Sequence, residues 1–263
     1  MEIMIGILIF IFGSMIGSFL NVCIVRMPKE ESVVMPRSHC VNCNKMIPWY
    51  DNIPLVSFFL LKGKCRSCQA KISIRYVLVE LLTAVSFFGF YRYFGLEAIL
   101  WPYLVMLSGF IVATFVDIEH RIIPDEITLG GLVVGFLFSL LIPQLHHTDQ
   151  HLLGGVRSFL GILIGGGSIY LMGLVGDFLF KKESMGGGDV KFMAMVGAFL
   201  GWQLALLAFF IAPFFGAVVG IIVKIRTKES LIPYGPFLVM GSLIALFFSK
   251  EIFYWLFHLY GIQ

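Results

Sequence analysis

Two aspartates stand where a strongly apolar chain carries charge only at a cost. Asp117 ends the charge-free run 98–116, and Asp189 follows three glycines in Ser184-Met185-Gly186-Gly187-Gly188-Asp189-Val190-Lys191. An ionisable group at the edge of a membrane span is expensive to retain and by default marks a function. Two carboxylates held close together cannot both ionise easily, so one keeps a proton while the other acts as a base. Such a pair deprotonates a water for attack on a peptide carbonyl and protonates the departing nitrogen. The chemistry these two residues offer together is aspartyl proteolysis at a membrane surface.

A second constellation is Cys40-Val41-Asn42-Cys43 and Cys65-Arg66-Ser67-Cys68, two Cys-x-x-Cys pairs separated by 21 residues. Each pair folds as a tight knuckle with both thiolates aimed at one centre. Two knuckles complete a tetrahedral four-sulfur site suited to Zn²⁺. An iron centre satisfies the same geometry. Two disulfides or a redox pair are the other uses of four cysteines, and a reducing compartment disfavours the disulfides. The segment 26–75 is too short to bury much core, so a metal would supply the missing folding energy. Trp49-Tyr50-Asp51-Asn52-Ile53-Pro54 and the surrounding basic residues form either a binding surface or a solvated connector. Cys23 lies in the first apolar run and reads as a small apolar filler.

The elements that hold these residues are membrane helices. Of 263 residues, 59% are hydrophobic, against about half in soluble domains. Charge-free runs cover 3–25, 98–116, 127–148, 158–176, 192–223 and 231–249, and about 20 such residues span a bilayer. A seventh segment begins near Tyr76, runs to Tyr91 and tolerates Glu80. As one helix, 192–223 would measure about 48 Å, too long for a single crossing. Gly201-Trp202-Gln203 supplies a turn within it. The expected fold is an all-α polytopic membrane protein of about eight transmembrane helices, with a small cytoplasmic zinc-binding insert between the first two.

Orientation follows from Lys and Arg, which favour cytoplasmic loops. Nine of them lie between Arg26 and Arg75, so that segment is expected inside. Alternating across each span then leaves Arg92 outside, 117–126 inside, 146–157 outside, Lys181, Lys182 and Lys191 inside, and Lys224, Arg226 and Lys228 inside again. Asp117 and Asp189 therefore share the cytoplasmic face. The run 3–25 lacks a basic segment before it, carrying Glu2 instead. It reads as a retained first span with its N-terminus outside rather than a secretory signal. Three regions result: a first span 1–25, a cytoplasmic tetracysteine domain 26–75, and a multi-span domain 76–263.

Local sequence adds detail. Gly13 and Gly17, Gly161 with Gly165 to Gly167, and Gly216 with Gly220 suit close helix contacts. Glu80 either faces the loop as an interfacial carboxylate or pairs with a basic residue such as Arg75. Pro124 should end the helix before it, and Asp125 fits an N-cap for the span opening at Ile127. Asp117 fits no such structural role, because a helix C-terminus disfavours an anion. Gly186 to Gly188 leave the backbone bare, free to take positive φ and to lie close to another chain.

These motifs together resemble a known family. Gly186-Gly187-Gly188-Asp189 with Asp117…Pro124-Asp125 is similar to the GxGD aspartyl peptidases of membranes, and among them the type IV prepilin peptidases, or leader peptidase/N-methyltransferases. Gly17-Ser18-Phe19-Leu20-Asn21-Val22, both cysteine pairs, Trp49 to Pro54, and Ser73-Ile74-Arg75-Tyr76 leading to Glu80 extend the resemblance over nearly the whole chain. It implies a bifunctional enzyme of the inner membrane. The enzyme would cut the basic leader from prepilins, pseudopilins or competence pilins after a glycine, on the cytoplasmic side. It would then methylate the new N-terminal amine with S-adenosylmethionine. The family's catalytic aspartates map onto Asp117 and Asp189, and its tetracysteine site onto Cys40, Cys43, Cys65 and Cys68. Asp125 matches the acid that is not catalytic. Val41 stands where relatives commonly carry proline, and the outer loop His146 to His151 is longer than usual. Residues for the methyl donor are not carried over, and 26–75 holds no glycine-rich nucleotide loop.

The implied partners are prepilin-like substrates and the lipid bilayer, with no nucleic acid. Glu119, Asp125, Glu126 and Glu183 are expected to contact the basic leader near the cleavage site. His120 is either a proton carrier or a plain interfacial histidine. A membrane transporter with structural carboxylates, or an adaptor built on a zinc module, is the competing reading.

Overall fold

The structure, a computed structural model, describes residues 2–181, 185–227 and 232–259. Eight α-helices form among them: α1 (Glu2–Arg26), α2 (Val56–Leu60), α3 (Ile74–Phe94), α4 (Leu100–His120), α5 (Asp125–Leu141), α6 (His151–Phe180), α7 (Gly187–Thr227) and α8 (Gly235–Leu259). The described residues hold no β-strand, only two isolated antiparallel bridges, His39 with Met46 and Lys64 with Lys71. Among the described residues, six helices are long and apolar enough to cross a membrane: α1, α3, α4, α6, α7 and α8. The chain is an all-helical multi-pass membrane protein. The eight expected spans count α5 as well, which has 17 residues, and take the halves of α7 separately. Helix α7 does break where expected, at Gly201, whose φ of 77° and ψ of 172° are not helical.

The chain divides into two compact units, Met1–Phe115 and Val116–Gln263. In the first, α1 and α3 pack backbone to backbone. A Cβ on Gly13 would fall 2.9 Å from Ala84 Cα, and one on Gly17 2.7 Å from Glu80 Cα. Small residues permit that approach, which gives membrane helices their dispersion contact. Asn21 Nδ2 donates to Tyr76 O at 2.9 Å across the same seam, and the Phe94 and Tyr103 rings, 4.7 Å apart, join α3 to α4.

In the second unit, α6 crosses α7 with Gly161 and Gly197 in direct backbone contact, so that a Cβ on either would collide with the other's carbonyl. The break at Gly201 leaves carbonyls of the preceding turn without ladder partners. One of them, Ala198 O, accepts from the hydroxyls of Ser139 at 3.1 Å and Ser158 at 2.9 Å. Ser139 Oγ also lies 2.8 Å from His146 Nε2, so the kink is held by a buried polar cluster. One expectation fails here. Asp125 is not an N-cap: Pro124, with φ −60° and ψ 138°, is the residue outside the helix, and Asp125 is the first inside it.

Candidate active site

Asp117 lies in the last turn of α4, which Arg121 ends in the left-handed conformation (φ 58°). Its side chain is buried, with the residue 6% exposed. A carboxylate at a helix C-terminus faces an unfavourable dipole, and the structure resolves that misfit through another helix. The backbone N–H of Gly235, the first residue of α8, donates to Asp117 Oδ2 at 2.7 Å. The acid is turned away from its own helix onto the N-terminus of a neighbour, where an anion is favoured.

Asp189 lies in the first turn of α7 and is half-buried; its N–H donates to Gly186 O at 3.1 Å. None of Gly186, Gly187 and Gly188 has positive φ, contrary to expectation. Gly187 and Gly188 are already helical; a side chain would find open space at Gly187, and small size matters at Gly188 and Gly186. A Cβ on Gly188 would touch Ile123 at 3.4 Å, and one on Gly186 would crowd Asp189 Oδ2 at 3.3 Å.

Asp117 is near enough for its charge to act on Asp189. The two aspartates, 72 positions apart in sequence, thus share one electrostatic neighbourhood in the second unit. Tyr234 feels the charge of Asp189 as well. Burial chiefly, and that charge second, push its phenol up to about 12, so it stays protonated over any working pH. Tyr234 and Gly235 carry no motif that sequence reading singled out. The only available signal was a glycine flanked by Pro233 and Pro236 at the head of an apolar run.

Around this centre, Lys191 Nζ donates to both oxygens of Asp125, each at 2.8 Å. Glu119, His120 and Glu126 are exposed, and Glu183 lies outside the described residues.

In the first unit the four cysteines Cys40, Cys43, Cys65 and Cys68 converge, with all Sγ atoms within 4.8 Å of one another. All are free thiols. The two knuckles repeat one backbone pattern. Asn44 N–H donates to Cys40 O at 2.8 Å and Gln69 N–H to Cys65 O at 3.0 Å, with Asn44 and Gln69 both left-handed (φ 54° and 58°). The N–H groups of Cys68 and Ser67 hold the Cys65 thiol down at about 7, which favours the ligating thiolate. Zn–S bonds of about 2.3 Å in a tetrahedron place sulfurs just under 4 Å apart, and Cys40 and Cys68 Sγ are 3.8 Å apart. The cluster fits such an ion.

Glu80 is buried and faces the loop: it accepts Leu55 N–H at 2.8 Å and a bond from Ser18. Beside it opens a cleft of about 820 Å³ lined by residues that include Ser18, Asn21, Arg26, Tyr50 and Glu80. Asn21 Oδ1 is buried without a hydrogen-bond partner.

Known proteins share both halves of this arrangement. Residues 11–94 match the bacterial peptidase A24 N-terminal domain, and residues 104–221 the type IV leader peptidase family. A prepilin leader peptidase/N-methyltransferase of Aeromonas hydrophila is 36% identical, over 94% of this chain and 92% of its own. The chain belongs to the type IV leader peptidase family. Similarly named proteins of that family from Pseudomonas aeruginosa and Myxococcus xanthus are 33% and 38% identical. The first alignment covers 92% of this chain and 90% of the relative. The second covers 86% of this chain but 65% of the Myxococcus protein, just under two thirds of its length. No solved structure matches. Asp117 and Asp189 fall inside the leader-peptidase match and the four cysteines inside the N-terminal one, whereas Tyr234 and Gly235 lie beyond both.

Proposed function

We propose that the protein removes the basic leader peptide from type IV prepilins or prepilin-like proteins and then N-methylates the new N-terminus. Asp117 and Asp189 perform the cleavage as an aspartyl dyad. What supports this reading is that Asp117 of α4 and Asp189 of α7 lie in one unit, near enough for the charge of one to act on the other. One carboxylate takes a proton from the attacking water while the other donates one to the leaving nitrogen, and the peptide C–N bond breaks. The alternation of Lys and Arg along the chain sets the dyad at the cytoplasmic face of the inner membrane, with the N-terminus outside.

For methyl transfer, S-adenosylmethionine supplies the methyl group from its sulfonium. The cleft beside Glu80 has room for a ligand of that size. Cys40, Cys43, Cys65 and Cys68 hold Zn²⁺ and so fold the loop that walls this cleft.

The test is processing of a prepilin by the detergent-solubilised chain, read by mass spectrometry with S-adenosylmethionine present. Wild type removes the leader and adds one methyl to the mature chain. Asp117→Asn and Asp189→Asn each lower cleavage by about 10²–10⁴-fold. Retained cleavage in both variants would overturn the dyad. A transporter, by contrast, would lose proton-linked flux in Asp117→Asn, and an adaptor would lose nothing.

A further inference from the structure

Neither the sequence motifs nor the family matches, which end at residue 221, point to the turn Ile232-Pro233-Tyr234-Gly235-Pro236-Phe237 that leads into α8. Pro236 has no N–H, and Phe237 and Leu238 N–H both donate to Tyr234 O, at 3.0 and 3.2 Å. Gly235 N–H instead leaves the turn and donates to Asp117 Oδ2.

The need for glycine at 235 comes from the same residue. A Cβ built there would meet Asp117 Oδ2 at 2.9 Å and Asp117 Cβ and Cγ at 3.3 Å, so its three nearest atoms all belong to that aspartate. No positive φ demands glycine at this position. The residue before it addresses the other acid. Tyr234 lies within the field of Asp189, with its ring against Phe237 (centroids 6.3 Å apart) and 3.4 Å from the position of a Cβ on Gly216 of α7. Gly235 thus bonds one aspartate, and Tyr234 beside it lies within the field of the other, the two acids being carried on two helices.

We propose that this turn positions the peptidase dyad: the Gly235 N–H fixes one oxygen of Asp117, leaving the other for water or for Asp189, and Tyr234 shapes the surroundings of Asp189. Three helices then build the catalytic centre, not two. The inference rests on Asp117 and Asp189 being the catalytic pair. Gly235 and Tyr234 act through them and are positioning residues.

The experiment compares Gly235→Ala, Gly235→Val, Asp117→Asn and, as a control, Gly167→Ala, where an added Cβ meets nothing within 4 Å. Each full-length variant is assayed in detergent for kcat and KM on a prepilin and for its melting temperature. Misplacing a catalytic group by about 1 Å costs up to about 100-fold. Gly235→Ala is therefore expected to lower kcat about tenfold or more and Gly235→Val further, with KM within about twofold of wild type and an unchanged melting temperature. Gly167→Ala stays at wild-type kcat. If Asp117→Asn is inactive while both Gly235 variants keep wild-type kcat, or lose it only in step with melting temperature, the positioning role is overturned and the dyad stands. If Asp117→Asn cleaves normally, the dyad reading falls and this one with it. Should the Gly235 variants not fold, Tyr234→Phe decides: lower kcat at constant KM supports the role, and wild-type kcat removes it.

Discussion

Lys191 donates to both carboxylate oxygens of Asp125 at 2.8 Å, tying the first turn of α7, two residues past Asp189, to the first residue of α5. The sequence assigns Asp125 to the substrate's basic leader, and the structure supplies it with a resident cation instead. Both side chains are well exposed, 41% for Lys191 and 55% for Asp125. Such a pair contributes at most about 1 kcal/mol, little enough for a leader Lys or Arg to displace Lys191. Lys191→Gln should therefore lower KM for a basic leader by about two- to fivefold at low salt. Asp125→Asn in the same chain should abolish the gain, and about 0.5 M salt should erase it in both. Steady-state kinetics at two ionic strengths decide the matter; an unchanged KM in Lys191→Gln removes Asp125 from leader recognition.

Much of the architecture was legible because apolar runs report spans directly. The split of the run 192–223 was readable from its length and from Gly201, and charge parity set Asp117 and Asp189 on one edge. What stayed hidden were tertiary bonds. Gly235 and Asp117 are 118 residues apart, and no local pattern links a backbone amide to a distant carboxylate. Lys191 and Asp125, 66 apart, escaped for the same reason. Asp125 was misread as a cap because the extended geometry of Pro124 moved the helix start by one residue. The three glycines invited a left-handed reading, yet a helix that begins at Gly187 absorbs two of them with ordinary negative φ.

Glu80 holds a strained turn. Leu55 has φ 61° and ψ −51°, and Val56 N–H donates to Pro54 O at 2.7 Å around it, a γ-turn that non-glycine residues rarely adopt. The carboxylate fixes this turn through Leu55 N–H at 2.8 Å. Glu80→Ala leaves that donor without its partner and should cost about 1–3 kcal/mol. Glu80→Gln keeps an acceptor oxygen and should cost less. Limited proteolysis should show faster cutting within 27–73 for Ala than for Gln; equal rates would mean the turn is held by other contacts.

The tetracysteine loop has little apolar interior, so metal binding should dominate its order. The purified chain is expected to carry one equivalent of zinc by elemental analysis. Cys65→Ser should lose it, as should wild type after strong chelation, and both should then be cut within 27–73 by a protease that spares the zinc-loaded form. Every residue assigned to the dyad lies in the other unit, so the membrane helices should stay protected in the same digest. A chelated loop as resistant as the loaded one would show that the knuckle hydrogen bonds suffice without metal.

The buried cluster at the α7 break predicts a pH dependence. His146 lies in the turn between α5 and α6, and burial chiefly pushes its imidazole down from 6.5 to about 4. Between these values the unfolded chain binds a proton that the folded chain refuses, so stability rises with pH there. The contribution is full above pH 6.5, falls as the solution is acidified through this window, and levels off near pH 4. Its total is on the order of 3 kcal/mol. The physical cause is burial: an imidazolium is poorly solvated at the α7 break, where Ser139 Oγ lies 2.8 Å from His146 Nε2. Melting temperatures in detergent at pH 7.5 and 5 should therefore diverge more for wild type than for His146→Gln, which removes the titrating group. If the variant loses as much stability on acidification as wild type, the pH dependence arises elsewhere and the Gly201 break is not its source.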